Sequence, residues 1–188
     1  MEIKILEKKD ESRWDQFVKD NGSTTFFHQI GWKNVIEKTY AHKPYYLFAQ
    51  ENGEIIGILP LFLIGYSIFG KRLVSVPYGP YGGCSAKSHY ITNTLLNNAI
   101  ALSKKLNAKS IELRNKESIL GMPTSDKNVA MLIYLSQGEK TIWSNISKNM
   151  KACIKKASEE NFNVTLDSKN IEGFYSVYCR RMHDLGTP

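Results

Sequence analysis

Between residues 148 and 156 the chain carries Lys148, Lys151, Lys155 and Lys156 and no acidic residue. The first three fall at i, i+3 and i+7, the spacing that lines one face of a helix, with Lys156 alongside. Such a stripe attracts the phosphates of a nucleic acid or of a nucleotide-linked substrate; taken alone it also reads as a solvated helix face. The loop Tyr78-Gly-Pro-Tyr-Gly-Gly83 is a second candidate. Its glycines let the backbone approach a ligand closely, and Tyr78 and Tyr81 offer hydroxyls and flat apolar faces. No Gly-Lys-Ser/Thr follows, so it is not a P-loop. Asp184 is a third, because an acid in the last turn of a helix opposes the helix dipole, whereas Arg180 and Arg181 suit it.

Spacing assigns no catalytic residue. His28, His42, His89 and His183 stand at no metal-ligand interval from one another or from a cysteine, so no metal site is expected. There is no Gly-x-Ser-x-Gly, no His-Glu-x-x-His and no Gly-x-Gly-x-x-Gly. The three cysteines, Cys84, Cys153 and Cys179, are scattered, which argues against a disulfide framework and fits a reducing cytoplasm.

The elements that must position these groups follow from periodicity. Ile3 to Leu6 reads as a strand, and Trp14, Phe17 and Val18 mark one face of a helix. A second helix is expected from about Trp32 to Lys38. Tyr45 to Ala49 and Glu54 to Ile64 read as strands around Asn52-Gly53, an Asn-Gly hairpin signal. Arg72 to Val76 is a strand that feeds the tyrosine-glycine loop. Ile91 to Leu106 is an amphipathic helix and Ser110 to Arg114 the strand after it, with Val129 to Leu135 a further strand. This order predicts an α/β or α+β domain with a mixed sheet, not a regular doubly wound one. The character changes around Ser136-Gln137-Gly138. A helix from Thr141 to Glu159 is then expected, with Ile146, Met150, Cys153, Ile154 and Ala157 packing inward. A strand from Phe162 to Leu166 and a helix from about Ile171 to His183 complete the chain. One strand and two helices cannot close a layer, so residues 1–138 read as a complete module and 139–188 as the start of a second.

The bulk properties agree with this reading. The 188 residues are 42% hydrophobic and 23% charged, an ordinary globular composition. A net charge of +7 and a pI of about 9.2 favour an anionic partner or simply keep the protein soluble. The N-terminus lacks an apolar h-region. The uncharged stretch Ile55 to Phe69 is shorter than the roughly 20 apolar residues a bilayer demands and is interrupted by Gly57, Pro60 and Gly65, so no transmembrane segment is expected.

Several blocks occur together in a distinctive order. They are Phe27-His-Gln-Ile-Gly-Trp32, Tyr45-Tyr-Leu47, Gly57-Ile-Leu-Pro-Leu61, Gly70-Lys-Arg-Leu-Val-Ser-Val-Pro77 and Tyr81-Gly-Gly83. Ser147-Lys-Asn-Met-Lys-Ala-Cys-Ile-Lys-Lys-Ala157 and Phe174-Tyr-Ser-Val-Tyr-Cys-Arg-Arg-Met-His-Asp-Leu-Gly-Thr-Pro188 follow. This series resembles the FemAB family of peptidoglycan-bridge aminoacyltransferases, and within it the FemAB-related proteins of exopolysaccharide and PEP-CTERM systems.

The resemblance implies two GNAT-like acyltransferase modules, the first complete and the second truncated. It implies transfer of an acyl or aminoacyl group onto an amine of a cell-envelope precursor, UDP- or lipid-linked, by a cytoplasmic protein at or near the inner membrane face. The donor would be aminoacyl-tRNA or an acyl-CoA; no cofactor is implied within these residues, and a fragment of this extent is expected to be inactive by itself. It also implies roles: Lys33 and Arg181 on substrate phosphate, Tyr78 and Tyr81 lining the cleft, Asp184 orienting substrate, and the lysine stripe meeting tRNA or precursor phosphate. Departures exist. Ile36 stands where bridge enzymes carry a lysine after the tryptophan, and Lys151, Lys155 and Lys156 stand among positions often occupied by arginine. Lysine lacks the bidentate fork of arginine. The coenzyme A pyrophosphate loop is not among these residues. An acyl-CoA-dependent N-acyltransferase and a non-catalytic glycan- or precursor-binding module remain the alternatives.

Overall fold

The computed structural model describes residues 1–66, 70–119, 121–125, 131–160, 162–165 and 168–187. It divides into two compact units, Met1–Ala130 and Met131–Pro188.

In the first unit, strand β1 (Glu2–Ile5) leads into helices α1 (Glu11–Asp20) and α2 (Ile30–Tyr40). The short β2 (Lys43–Pro44), then β3 (Leu47–Glu51), β4 (Glu54–Leu59), β5 (Phe62–Tyr66) and β6 (Gly70–Val74) follow. β7 (Ser85–Ala86), helix α3 (His89–Lys105) and β8 (Ala108–Glu112) complete it. The strands form two four-stranded sheets, β1-β3-β4-β7 and β2-β5-β6-β8. The β6–β8 pair is parallel and the other pairs are antiparallel, so the fold is mixed α/β.

The chain dictates this division. Asn52 and Gly53 adopt φ of 49° and 84°, closing the β3–β4 hairpin as the Asn-Gly pair predicts. The run Glu54–Ile64 is two strands in different sheets, broken at Pro60, which has no N–H for a ladder. Val76, expected to end a strand, lies beyond β6 with φ of 47°.

Both faces of the β3–β4 ribbon are buried. Tyr46, Phe48, Ile55 and Ile58 pack with Trp14, Phe17 and Val18 of α1 and Ile30 and Ile36 of α2. Leu47, Ala49, Ile56 and Leu59 pack with Ile91, Leu95, Leu96 and Ala99 of α3. Strict alternation would put Ile55 and Ile58 on opposite faces. A register shift at Ala49/Gln50 supplies the extra residue that reunites them. Gly57 lets α3 sit down on β4, since a Cβ there would come within 2.7 Å of Ile91 and 2.9 Å of Ala86.

The second unit comprises α4 (Glu139–Asn145), α5 (Lys148–Glu159) and α6 (Ile171–Asp184). The helix expected from 141 to 159 is two helices. Ile146 and Ser147 are extended, and the Ser147 hydroxyl caps α5 by accepting from the Met150 N–H. Of the strand expected at 129–135, Met131–Tyr134 form no strand and Leu135 opens a 3-10 turn; Val129 and Ala130 lie outside the described residues. Phe162–Thr165 likewise form no strand, and Leu166 lies outside the described residues. Among the described residues this unit has no sheet to receive the helices' apolar faces. Met150 (54% exposed) and Ile154 (37%) therefore do not pack inward as expected, and no described residue from 131 onward is buried.

Candidate functional site

The loop between β6 and β7 is a strained backbone held from outside. Val76 and Tyr78 have positive φ, 47° and 62°, and a β-branched or aromatic residue there costs roughly 1–3 kcal/mol. The residues following β8 pay that back. The Arg114 guanidinium donates to the Gly79 carbonyl at 2.9 Å and to Glu112 at 2.9 Å. The N–H groups of Gly82 and Gly83 both donate to the Arg114 carbonyl at 3.1 Å. Asn115 acts as a substitute strand: its Nδ2 donates to the Cys84 carbonyl and its Oδ1 accepts from the Cys84 N–H, both at 3.3 Å. A Cβ on Gly82 would overlap Val76, and one on Gly83 would overlap Asn115. The glycines are thus required by packing, and their N–H groups are already engaged.

His28 holds the loop from the other side. The Thr25 N–H donates to Nδ1 at 3.0 Å, so that nitrogen carries no proton and Nε2 donates to the Gly83 carbonyl at 3.1 Å. Burial keeps the imidazole below its ordinary pKa, and the nearby Lys116 charge acts in the same direction, against the opposing Gly83 hydrogen bond. With both nitrogens committed, His28 is a neutral clamp between two loops, not a proton shuttle.

Between these clamps lies a cavity of about 350 Å³ whose lining includes Thr25, His28, Tyr81, Gly83, Lys116 and Glu117. Cys84 also lines it, but burial pushes its thiol up to about 12, which leaves no thiolate to act as a nucleophile at neutral pH. Lys116 Nζ stands 5.6 Å from the Tyr81 ring centroid, within cation–π range. Among the described residues, the Tyr81 hydroxyl, Lys116 and Glu117 form no hydrogen bond or ion pair. They are the groups of this cavity that remain for a ligand. A second hollow, of about 530 Å³ beside Arg13, Phe17 and Lys87, has its guanidinium spent on Asp10, Gln50 and the Gly53 carbonyl.

The sequence-derived residues fall on both units. Tyr81 lines the cavity, but Tyr78 is 50% exposed, stacks on Tyr40 at 4.2 Å and pairs its hydroxyl with His42 Nε2 at 3.1 Å. Lys33 is buried in α2, its ammonium between Glu11 (3.2 Å) and Glu37 (3.3 Å), where it ties α1 to α2 and its charge is compensated. Arg181 and Asp184 are on α6 in the second unit, Asp184 lying 3.8 Å from His183. On α5, Lys151 bonds the Ser144 carbonyl at 3.2 Å and lies 5.9 Å over Trp143. Lys148, Lys155 and Lys156 are exposed beside it. Lys116, Glu117, Asn115 and Arg114 were not singled out from the sequence. Their signal is position: they follow directly on β8, which pairs parallel to β6, and the carboxyl ends of parallel strands favour ligand sites. Among the described residues no cluster of His, Cys, Asp and Glu could hold a metal ion. No described helix is long and apolar enough to cross a membrane.

As a sequence, the chain matches no protein-family model and no curated protein. Its fold is similar to solved structures. A transcriptional regulator from Bacillus halodurans C-125 is 16% identical over 70% of this chain and 99% of that one, with a TM-score of 0.50. A GNAT family acetyltransferase from Staphylococcus aureus is 17% identical over 70% and 98%, with a TM-score of 0.48. FemX is 17% identical over 57% of this chain and 25% of that chain, with a TM-score of 0.46. At these identities the likeness bears on fold alone.

Proposed function

We propose that the chain serves acyl or aminoacyl transfer onto an amine of a cell-envelope precursor, peptidoglycan- or polysaccharide-linked, in the manner of the FemAB family. The ordered sequence blocks from Phe27 to Pro188 support this reading. The observation that carries it is the cavity at the end of β8, which has a cation, a phenol and a carboxylate unengaged but no activated nucleophile. That set suits binding and orienting two substrates for direct attack: the amine nitrogen bonds to the acyl carbon, the ester or thioester bond breaks, and the leaving group takes a proton. Orientation, not a covalent intermediate, would supply the rate. On this reading the donor is aminoacyl-tRNA or an acyl-CoA, and Lys148, Lys151, Lys155 and Lys156 meet its phosphates. Because the resemblance implies that these residues alone are inactive, the test is incubation of a chain carrying both modules complete with radiolabelled aminoacyl-tRNA or acetyl-CoA and a UDP-linked muropeptide: label moving to the amine is expected, and none from either donor refutes the proposal.

A second reading, glycan or precursor binding without transfer, is favoured by the Tyr40–Tyr78 stack, two tyrosines 47% and 50% exposed. Saturation by a sugar ligand together with no transfer would select it.

A further inference from the structure

The groups around the loop divide into those that build the cavity and those left over. Arg114, Asn115 and His28 are fully engaged in holding residues 79–84. Each fixes a neighbour. Asn115 is tied to Cys84 through both polar atoms, which sets the position of the next residue, Lys116. Gly82 and Gly83 are tied to the Arg114 carbonyl, which sets the position of the preceding Tyr81. The result is an ammonium 5.6 Å from an aromatic centroid, both on a cavity wall. The cavity's other charges leave that ammonium uncompensated. The Arg114 guanidinium is spent on Glu112 and Gly79, His28 is clamped as a neutral ring, and no described carboxylate comes within 4.0 Å of Lys116. Glu117 faces the same space without closing that distance.

We infer that Lys116, seated on Tyr81, is the oxyanion-binding point of this cavity, taking a phosphate or carboxylate of the ligand with the Tyr81 hydroxyl as a second donor. The inference rests on the cavity being the substrate site of the transfer reading. It replaces Lys33, whose charge is already compensated by Glu11 and Glu37. Phosphate and carboxylate share this chemistry: an ammonium and a phenol both donate to oxygen, and a charge-assisted bond is stronger than a neutral one.

The test is titration of the ¹⁵N-labelled protein with inorganic pyrophosphate in one arm and N-acetylalanine in the other, following the amides of Gly82, Gly83 and Lys116. Saturable shifts in the first arm assign phosphate and in the second carboxylate; either supports the inference. Lys116→Met should weaken binding about ten- to a hundredfold, the worth of a hydrogen bond to a charged group. Lys116→Arg should retain it, and Lys116→Gln gives the same reading should the methionine variant fail to fold. Binding by Lys116→Met equal to that of the unaltered protein, or no binding in either arm, overturns the inference. Pyrophosphate binding that depends on Lys116, with no transfer by the chain carrying both modules complete, would remove the transfer reading and leave the oxyanion site standing. Transfer without anion binding would do the reverse.

Discussion

His28 Nε2 donates to the Gly83 carbonyl at 3.1 Å, joining the segment between α1 and α2 to the tyrosine-glycine loop across 55 residues of sequence. A proton on Nδ1 would leave this bond in place but would remove the one that Nδ1 accepts from the Thr25 N–H, freeing one end of the clamp. The fold of the loop is therefore linked to a proton.

That linkage has a sign. Burial lowers the folded-state pKa of His28 below the ordinary 6.5, so the unfolded chain takes up a proton first as pH falls. The stabilisation is complete above pH 6.5 and is lost as pH drops through the folded pKa. Urea unfolding at pH 8 and pH 5 should show the acid sample less stable, and His28→Gln should flatten the difference. An unchanged slope in the variant would assign the effect elsewhere, His42 being shifted in the same direction by burial.

Gly83 is a packing requirement. Gly83→Ala would drive a methyl group into the Asn115 amide and should cost about 1–3 kcal/mol by denaturant unfolding. Combining it with Asn115→Ala should cost less than the two single losses added together, because the obstructing atoms are gone. Strict additivity would mean the loop relaxes without meeting Asn115.

Lys33→Met separates a structural lysine from a ligand-binding one. Removing the ammonium leaves Glu11 and Glu37 facing each other with partial solvent access, for a loss of about 1–2 kcal/mol in thermal or urea unfolding. Pyrophosphate titration of the folded variant should match that of the unaltered protein. A loss of anion binding with stability intact would restore Lys33 to the substrate role that its sequence position suggested.

The lysine stripe on α5 makes a prediction in salt. Lys151 is partly engaged by Ser144, so on the transfer reading Lys148, Lys155 and Lys156 are the lysines left to meet phosphate. Replacing those three with glutamine should lower the slope of log binding constant against log salt by roughly 2–3 for a tRNA probe, at about 0.7–0.9 per contact. An unchanged slope would make α5 a solvated face.

The first unit was largely legible because its signals are local. The Asn52-Gly53 turn, the Trp14/Phe17/Val18 stripe and the Leu95/Ala99 face each specify an element within a few residues, and the helices cover both sides of the sheet accordingly. The Glu54–Ile64 run reads as a strand or a strand pair interrupted at Pro60, and that Pro60 divides it between two different sheets is a tertiary outcome. The runs at 131–135 and 162–165 have strand composition but no partner strand among the described residues, and composition does not make a ladder. At the site, Tyr81 was legible as a loop aromatic. Lys116 was not, because its significance comes from Asn115 folding back on Cys84, a contact 31 residues away. Lys33 shows the converse: no spacing rule announces that Glu11, on another helix, will meet it.

Asn115 shapes the cavity through a carboxamide, a group that water slowly converts to a carboxylate. That single change would take away the donor to the Cys84 carbonyl and place a fixed negative charge next to Lys116. The loop would lose half of its tether and the cavity its attraction for anions in one chemical event. Asn115→Asp should therefore loosen the loop and weaken pyrophosphate binding together, read by urea unfolding and titration of that one variant.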